Sequence, residues 1–192
     1  MKRGRPFRAA AFWCALVLFF AAVPARPQDA ALSSGASVVK VTPYVSLVPV
    51  PRGREFQIAV VVNIADGFHM NSHKPSDAYL IATTLTSELP AGIALADTVY
   101  PAGRVEKFAF SPNEPLDVYT RSVTLRLKLS AQASAALGRA SIPMTLRFQA
   151  CNQTTCLPPA KVLVSAQFQV VEAGTASKPV HPEIFSAGTT GK

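Results

Sequence analysis

Two cysteines, Cys151 and Cys156, stand with four residues between them in Cys151-Asn152-Gln153-Thr154-Thr155-Cys156. A disulfide across so short a loop contributes only about 2 kcal/mol on chain-entropy grounds, so it makes a weak staple. Two thiols this close suit exchange chemistry instead. One sulfur attacks a partner's disulfide, and the other resolves the mixed disulfide that results. A permanent, purely structural disulfide is the competing reading, since many exported sandwiches carry one. A third reading adds His69 and His73 to the cysteines as a Cys2His2 zinc set. It needs two distant segments to meet. Otherwise His69 and His73 are expected as surface or hydrogen-bonding loop histidines, and His181 as part of a tail.

Phe108 and Phe110, set among Lys107, Ser111 and Pro112, form a loop-like aromatic pair. Exposed aromatics in a loop cover a site or dock a partner. Tyr44, Tyr79, Tyr100 and Tyr119 read as core residues of strands. Ser and Asp are scattered, and there is no glycine-rich phosphate loop and no G-x-S-x-G elbow, so neither a hydrolase nor a cofactor is expected.

The cysteine pair needs elements to hold it, and the flanking alternation supplies them. Ile142, Met144, Leu146 and Phe148 lead into it, and Val162, Val164, Ala166, Phe168 and Val170 follow, each set at the period of a half-buried strand. Ile58, Val60, Val62 and Ile64 repeat the pattern, as do Val123, Leu125, Leu127 and Leu129. Further strands are expected over residues 38–48, 79–87 and 98–100, with turns at Pro51-Arg52-Gly53, Asp66-Gly67, Pro90-Ala91-Gly92 and Pro101-Ala102-Gly103. The single helical candidate is 130–137, rich in Ala and stopped by Gly138. Seven or more short strands predict an all-β antiparallel sandwich.

The 192 residues are 49% hydrophobic and 16% charged, enough for a buried core and too apolar for a disordered chain. Of the +8 net charge, Lys2, Arg3, Arg5 and Arg8 supply half, leaving fifteen basic residues against eleven acidic and no basic cluster elsewhere. Nucleic-acid binding is therefore not expected. Behind those four, residues 9–23 form an apolar run of 15, short of the roughly 20 that span a bilayer. With Val23-Pro24-Ala25 after it, the pattern predicts a signal peptide over 1–25, removed together with Cys14. The expected mature chain has a linker at 26–37, a globular part at 38–172, a flexible tail at 173–192 and no membrane insertion. Export places the even pair Cys151 and Cys156 in an oxidising compartment.

The segment Arg147-Phe148-Gln149-Ala150-Cys151-Asn152-Gln153-Thr154-Thr155-Cys156-Leu157-Pro158-Pro159 resembles the cysteine motif of the N-terminal periplasmic domain of the thiol:disulfide interchange protein DsbD. Asp66-Gly67-Phe68-His69-Met70-Asn71-Ser72-His73-Lys74-Pro75 and Leu116-Asp117-Val118-Tyr119 resemble two further stretches of that family. The resemblance implies an immunoglobulin-like β-sandwich in the periplasm that passes reducing equivalents to exported thioredoxin-fold partners. It gives Cys156 the exchanging role and Cys151 the resolving one. It also implies a cap loop over the pair, matched here by Glu106-Lys107-Phe108-Ala109-Phe110, with Phe108 as the lid. Lys107 replaces an acid of the family's cap, and a cation near a thiol favours the thiolate. Members of the family continue into a membrane electron-conducting domain, so this chain is expected to draw electrons from a membrane donor in trans.

Overall fold

The structure, a computed structural model, describes residues 34–185. The expected signal peptide, most of the linker and the last seven residues lie outside the described residues. Ser34 opens the described chain by capping a turn of 3-10 helix, Gly35–Val38, its side chain accepting from the Ala36 amide. The strands follow as β1 Val39–Val45, β2 Leu47–Val48, β3 Val50–Pro51, β4 Glu55–Ile64, β5 His69–Asn71, β6 Thr84–Ser87 and β7 Ile93–Val99. Then come β8 Arg104–Phe108, β9 Ser111–Thr120, β10 Ser122–Ala131, β11 Gly138–Phe148, β12 Ala150–Cys151, β13 Ala160–Val171 and β14 Lys178–Pro179.

Two four-stranded sheets make the immunoglobulin-like sandwich, one ordered β1-β4-β10-β7 and the other β3-β13-β11-β6. All ladders are antiparallel except the two-residue pairing of β3 with β13. Alternation does the sorting. On β10 the side chains of Val123, Leu125, Leu127, Leu129 and Ala131 are buried, and the residues between them are not. Ile142, Met144, Leu146 and Phe148 do the same on β11, joining one core with the first sheet. Phe56 of β4 meets Phe168 of β13 across the layers, ring centres 5.1 Å apart. Each fully buried aliphatic or aromatic side chain of this kind stabilises the fold by about 1.5–3 kcal/mol. A third sheet, β12-β5-β9-β8, carries Cys151, His69 and Phe108.

Four expectations change. Residues 130–137 are not a helix: β10 runs through Ala131, whose amide donates to the Arg54 carbonyl at 3.0 Å, and the Gln132 amide donates to Gly92 at 2.8 Å. Ala131 and Ala135 are buried, and Ala135 packs its backbone against Gly92. Within 79–87 only Thr84–Ser87 is strand, and the segment before it is a loop whose backbone is held by side chains. The strand expected at 98–100 is longer, Ile93–Val99. The stretch expected as a tail is pinned in its first part. β14 pairs with β2, the Val180 amide donates to Ser46, the Arg126 guanidinium donates to the Ile184 carbonyl at 2.8 Å, and the His181 ring meets Tyr44.

At the other end, the chain enters through a close approach. A side chain at Gly35 would crowd the Ala160 Cβ and the Pro158 carbonyl, just past the second cysteine, and the Val38 carbonyl accepts from the Ala65 amide at 2.9 Å. No helix among the described residues is long and apolar enough to cross a membrane.

Candidate functional site: the cysteine loop and the hairpin over it

The loop is built by the end of β11. Phe148 and Ala150 are buried, which anchors the strand and draws Cys151 into the protein with them. Asn152 then turns the chain: its Oδ1 accepts from the amides of Thr154 and Thr155, both at 2.9 Å, and its own amide donates to the Thr155 carbonyl. Such a side-chain-to-backbone turn is the usual reason for Asn at this kind of position. The Leu157 amide donates to the Ala150 carbonyl at 2.8 Å, closing the loop behind Cys156.

Cys151 and Cys156 form a disulfide, with Cα atoms 3.9 Å apart. Their surroundings differ sharply. Cys151 is 1% exposed, whereas Cys156 lies on the exposed side of the loop.

Beside Cys151 runs β5, in register so that Cys151 faces His69 and Ala150 faces Met70. Directly opposed residues of an antiparallel pair project to the same face. The His69 imidazole therefore stands next to the disulfide. It is 2% exposed, its Nε2 has no hydrogen-bond partner, and burial lowers its pKa to about 4, so it is neutral at physiological pH. The Phe108 ring stacks on it with centroids 3.9 Å apart, and Phe110 stacks on Phe108 at 5.4 Å.

The expected cap loop is thus the end of a β-hairpin. Residues 104–108 are β8, Ala109 and Phe110 make the turn, and β9 returns. The pairing shifts register between Glu106 and Phe108, a bulge that re-aims the strand before the turn. Phe108 is buried in a small cluster with Leu116, Val118 and Leu80, separate from the main core. Phe110 is exposed. Glu106 is half-buried and lines a cleft of about 350 Å³ together with His69, Phe108 and Gln153. Asp66, Arg104 and Arg121 add both signs of charge to that cleft. Lys107 is exposed and is not among the residues lining it.

Of the two histidines expected as surface or hydrogen-bonding loop residues, His73 fits and His69 does not. His69 is a buried strand residue, as above. His73 is half-buried: its ring stacks on Tyr100 with centroids 3.6 Å apart, and its Nδ1 lies 3.0 Å from the Thr83 carbonyl. Its amide donates to the Tyr119 hydroxyl, which donates onward to the Pro101 carbonyl. Burial pushes the Tyr119 phenol above its ordinary range, in keeping with this structural use. Among the described residues no three His, Cys, Asp or Glu side chains gather as a metal set. The zinc reading lacks its ligands, because the cysteines are joined to each other and His73 is engaged with Thr83 and Tyr100. Spacing set His69 beside the cysteines only through the zinc reading, not as a strand neighbour. Phe68 and Met70 alternate around it, too briefly to declare a strand.

Comparison with curated protein sequences gives no match. Among solved structures, the DsbD N-terminal domain of Neisseria meningitidis in its reduced form is similar at 18% identity, covering 78% of this chain and 95% of that one, with a TM-score of 0.43. The N-terminal periplasmic domain of ScsB from Proteus mirabilis matches at 12% identity over 77% of this chain and 51% of that one, TM-score 0.49. A complex between the DsbD N-terminal and PilB N-terminal domains of Neisseria meningitidis matches at 16% identity, over 64% and 80%, TM-score 0.40. The family model described as thiol:disulfide interchange protein DsbD, N-terminal, matches residues 36–167. That match spans both cysteines, the strands on either side of them and the hairpin above His69. The chain accordingly belongs to the family of the N-terminal domain of the thiol:disulfide interchange protein DsbD.

Proposed function

We propose that this protein is a thiol:disulfide oxidoreductase component of the periplasm. In this reading it passes reducing equivalents to exported thioredoxin-fold proteins through the Cys151/Cys156 pair and is recharged by a membrane electron donor. The observation that carries the reading is the unequal exposure of the two cysteines, Cys151 buried and Cys156 exposed. A structural disulfide has no need of that asymmetry. An exchange pair needs one sulfur within a partner's reach and the other held back to resolve.

The chemistry follows from that asymmetry. In the dithiol form the Cys156 thiolate attacks a sulfur of the partner's disulfide, and the electron pair of that bond leaves on the partner's second sulfur. A mixed disulfide now joins the proteins through Cys156. Cys151 attacks Cys156, the intermolecular bond breaks, and the partner departs as a dithiol while this protein becomes the disulfide. The hairpin end bearing Phe108 and Phe110 is the cover that a partner displaces. Glu106 and Lys107 belong to the same cap, Glu106 on its cleft side and Lys107 on its exposed side.

A redox titration against glutathione or dithiothreitol tests the reading. The pair is expected to equilibrate in the range of exchange catalysts, roughly −120 to −270 mV, whereas a potential below about −300 mV would mark a permanent structural bond.

A further inference from the structure

The buried sulfur has a proton problem. Cys151 is 1% exposed, and in an apolar setting the thiolate that must attack Cys156 is disfavoured. A base in bulk water does not reach it while a partner sits over the loop. The strand register places one titratable side chain directly beside it on the same face, His69. That imidazole is itself 2% exposed, and its Nε2 is unpartnered. A buried nitrogen without a hydrogen bond is disfavoured, so a ring of this kind calls for a use. In the disulfide form Cys151 carries no proton to offer. On reduction it becomes a thiol, the donor that Nε2 lacks.

We propose that His69 is the proton acceptor for Cys151 in the resolving step. This inference rests on the exchange reading above and assigns a residue to one half of it. The neutral ring, protonated at Nδ1, receives the Cys151 thiol proton at Nε2. The electron pair left on the Cys151 sulfur forms the bond to the Cys156 sulfur. The bond between Cys156 and the partner breaks, and its pair leaves on the partner's sulfur as a thiolate. The imidazolium then loses its proton through the cleft it lines. The charged groups facing it there are Asp66 from the turn before β5, Arg104 and Glu106 from β8, and Arg121 after β9. The low pKa of the ring, which follows from its burial, keeps it in the accepting form at neutral pH and makes that proton quick to leave.

Ellman's reagent separates the two halves of the reaction. With reduced protein, Cys156 attacks the reagent and releases one nitrothiobenzoate in a phase that depends on reagent concentration. Cys151 then closes on Cys156 and releases the second in a unimolecular phase. His69→Phe keeps a flat ring under Phe108 but removes the base, and His69→Gln keeps a polar group that does not take the proton. Both variants are expected to slow the second phase by roughly 10²-fold or more at pH 7, the usual contribution of a positioned base. The first phase should change by less than about twofold. Between pH 6 and 8 the second phase of the variants should climb about tenfold per unit, as expected when thiolate forms without help, while the wild type climbs less steeply. Second phases at the wild-type rate in both folded variants overturn the proposal, as does a slowed phase with an unchanged pH slope. A wild-type protein that releases no second nitrothiobenzoate overturns the exchange reading itself, and the role of His69 with it.

Discussion

Cys151 is buried and Cys156 exposed, and substitution tests whether they divide the work of exchange as proposed. Without a resolving thiol, a mixed disulfide has no internal route to collapse. Cys151→Ala is therefore expected to trap a covalent complex through Cys156 when offered exported thioredoxin-fold proteins, seen on a non-reducing gel and lost with reductant. Cys156→Ala should trap little, because Cys151 is shut away from any partner. Equal trapping by both would show that the two sulfurs do not divide the roles. His69 leaves its own mark on stability. Folded, it titrates near 4, and in the unfolded chain near 6.5, so between those values the unfolded state takes up a proton that the folded state refuses. Stability is then complete with respect to His69 above pH 6.5 and falls as the pH drops through 4, by about 3 kcal/mol at most. Denaturant melts at pH 7 and pH 4 on wild type and His69→Phe check this. If the variant loses as much stability as the wild type between those pH values, the loss comes from other groups.

At the scale of elements, the hairpin of β8 and β9 and the turn at Gly92 make opposite demands. Phe108 is buried, but in a satellite cluster of four side chains beside an open cleft, so removing it costs less than removing a ring from the main core. Phe108→Ala is expected to lower stability by less than about 2 kcal/mol, against about 3–5 for Phe148→Ala, and to speed alkylation of the reduced thiols several-fold. A Phe108 loss as large as that of Phe148, with no faster alkylation, would make Phe108 core rather than cover. Gly92 is a fixed joint by comparison. It sits at φ +81° and a side chain there would fall on backbone atoms of Ser134 and Ala135, while Gly53, at φ +77°, faces open space. Gly53→Ala should then cost about 1 kcal/mol, the price of the left-handed conformation. Gly92→Ala should cost several times more, which chemical denaturation of the pair would show.

Over the whole molecule, the sandwich was legible wherever one face of a strand is wet. The alternation along β4, β10, β11 and β13 placed their buried residues at the right positions, because period two and burial are the same fact there. Sequence reading failed where packing chose the residue for another reason. Ala131 and Ala135 read as helix formers but are buried beside the turn at Gly92, and His69 read as a loop residue because β5 is three residues long and buried on all of them. The cysteine loop was legible from its motif, while the unequal burial of its two cysteines was not, since Cys151 is covered through β12 pairing with β5, about eighty positions away in the chain. The hairpin character of residues 104–120 was hidden by Pro112 and Pro115, which read as loop residues and lie in the part of β9 beyond its pairing with β5.

Gly35 lies against the exit of the cysteine loop, near Pro158 and Ala160, whereas residues 178–180 are held at β2, beyond the other end of β1. Seven strand residues separate these points, about 20 Å of rise. A carrier domain or affinity label joined directly ahead of Ser34 starts at the loop exit and competes with a visiting protein for that space. The same addition directly after Phe185 starts beside Arg126 of β10 and leaves the loop exit open.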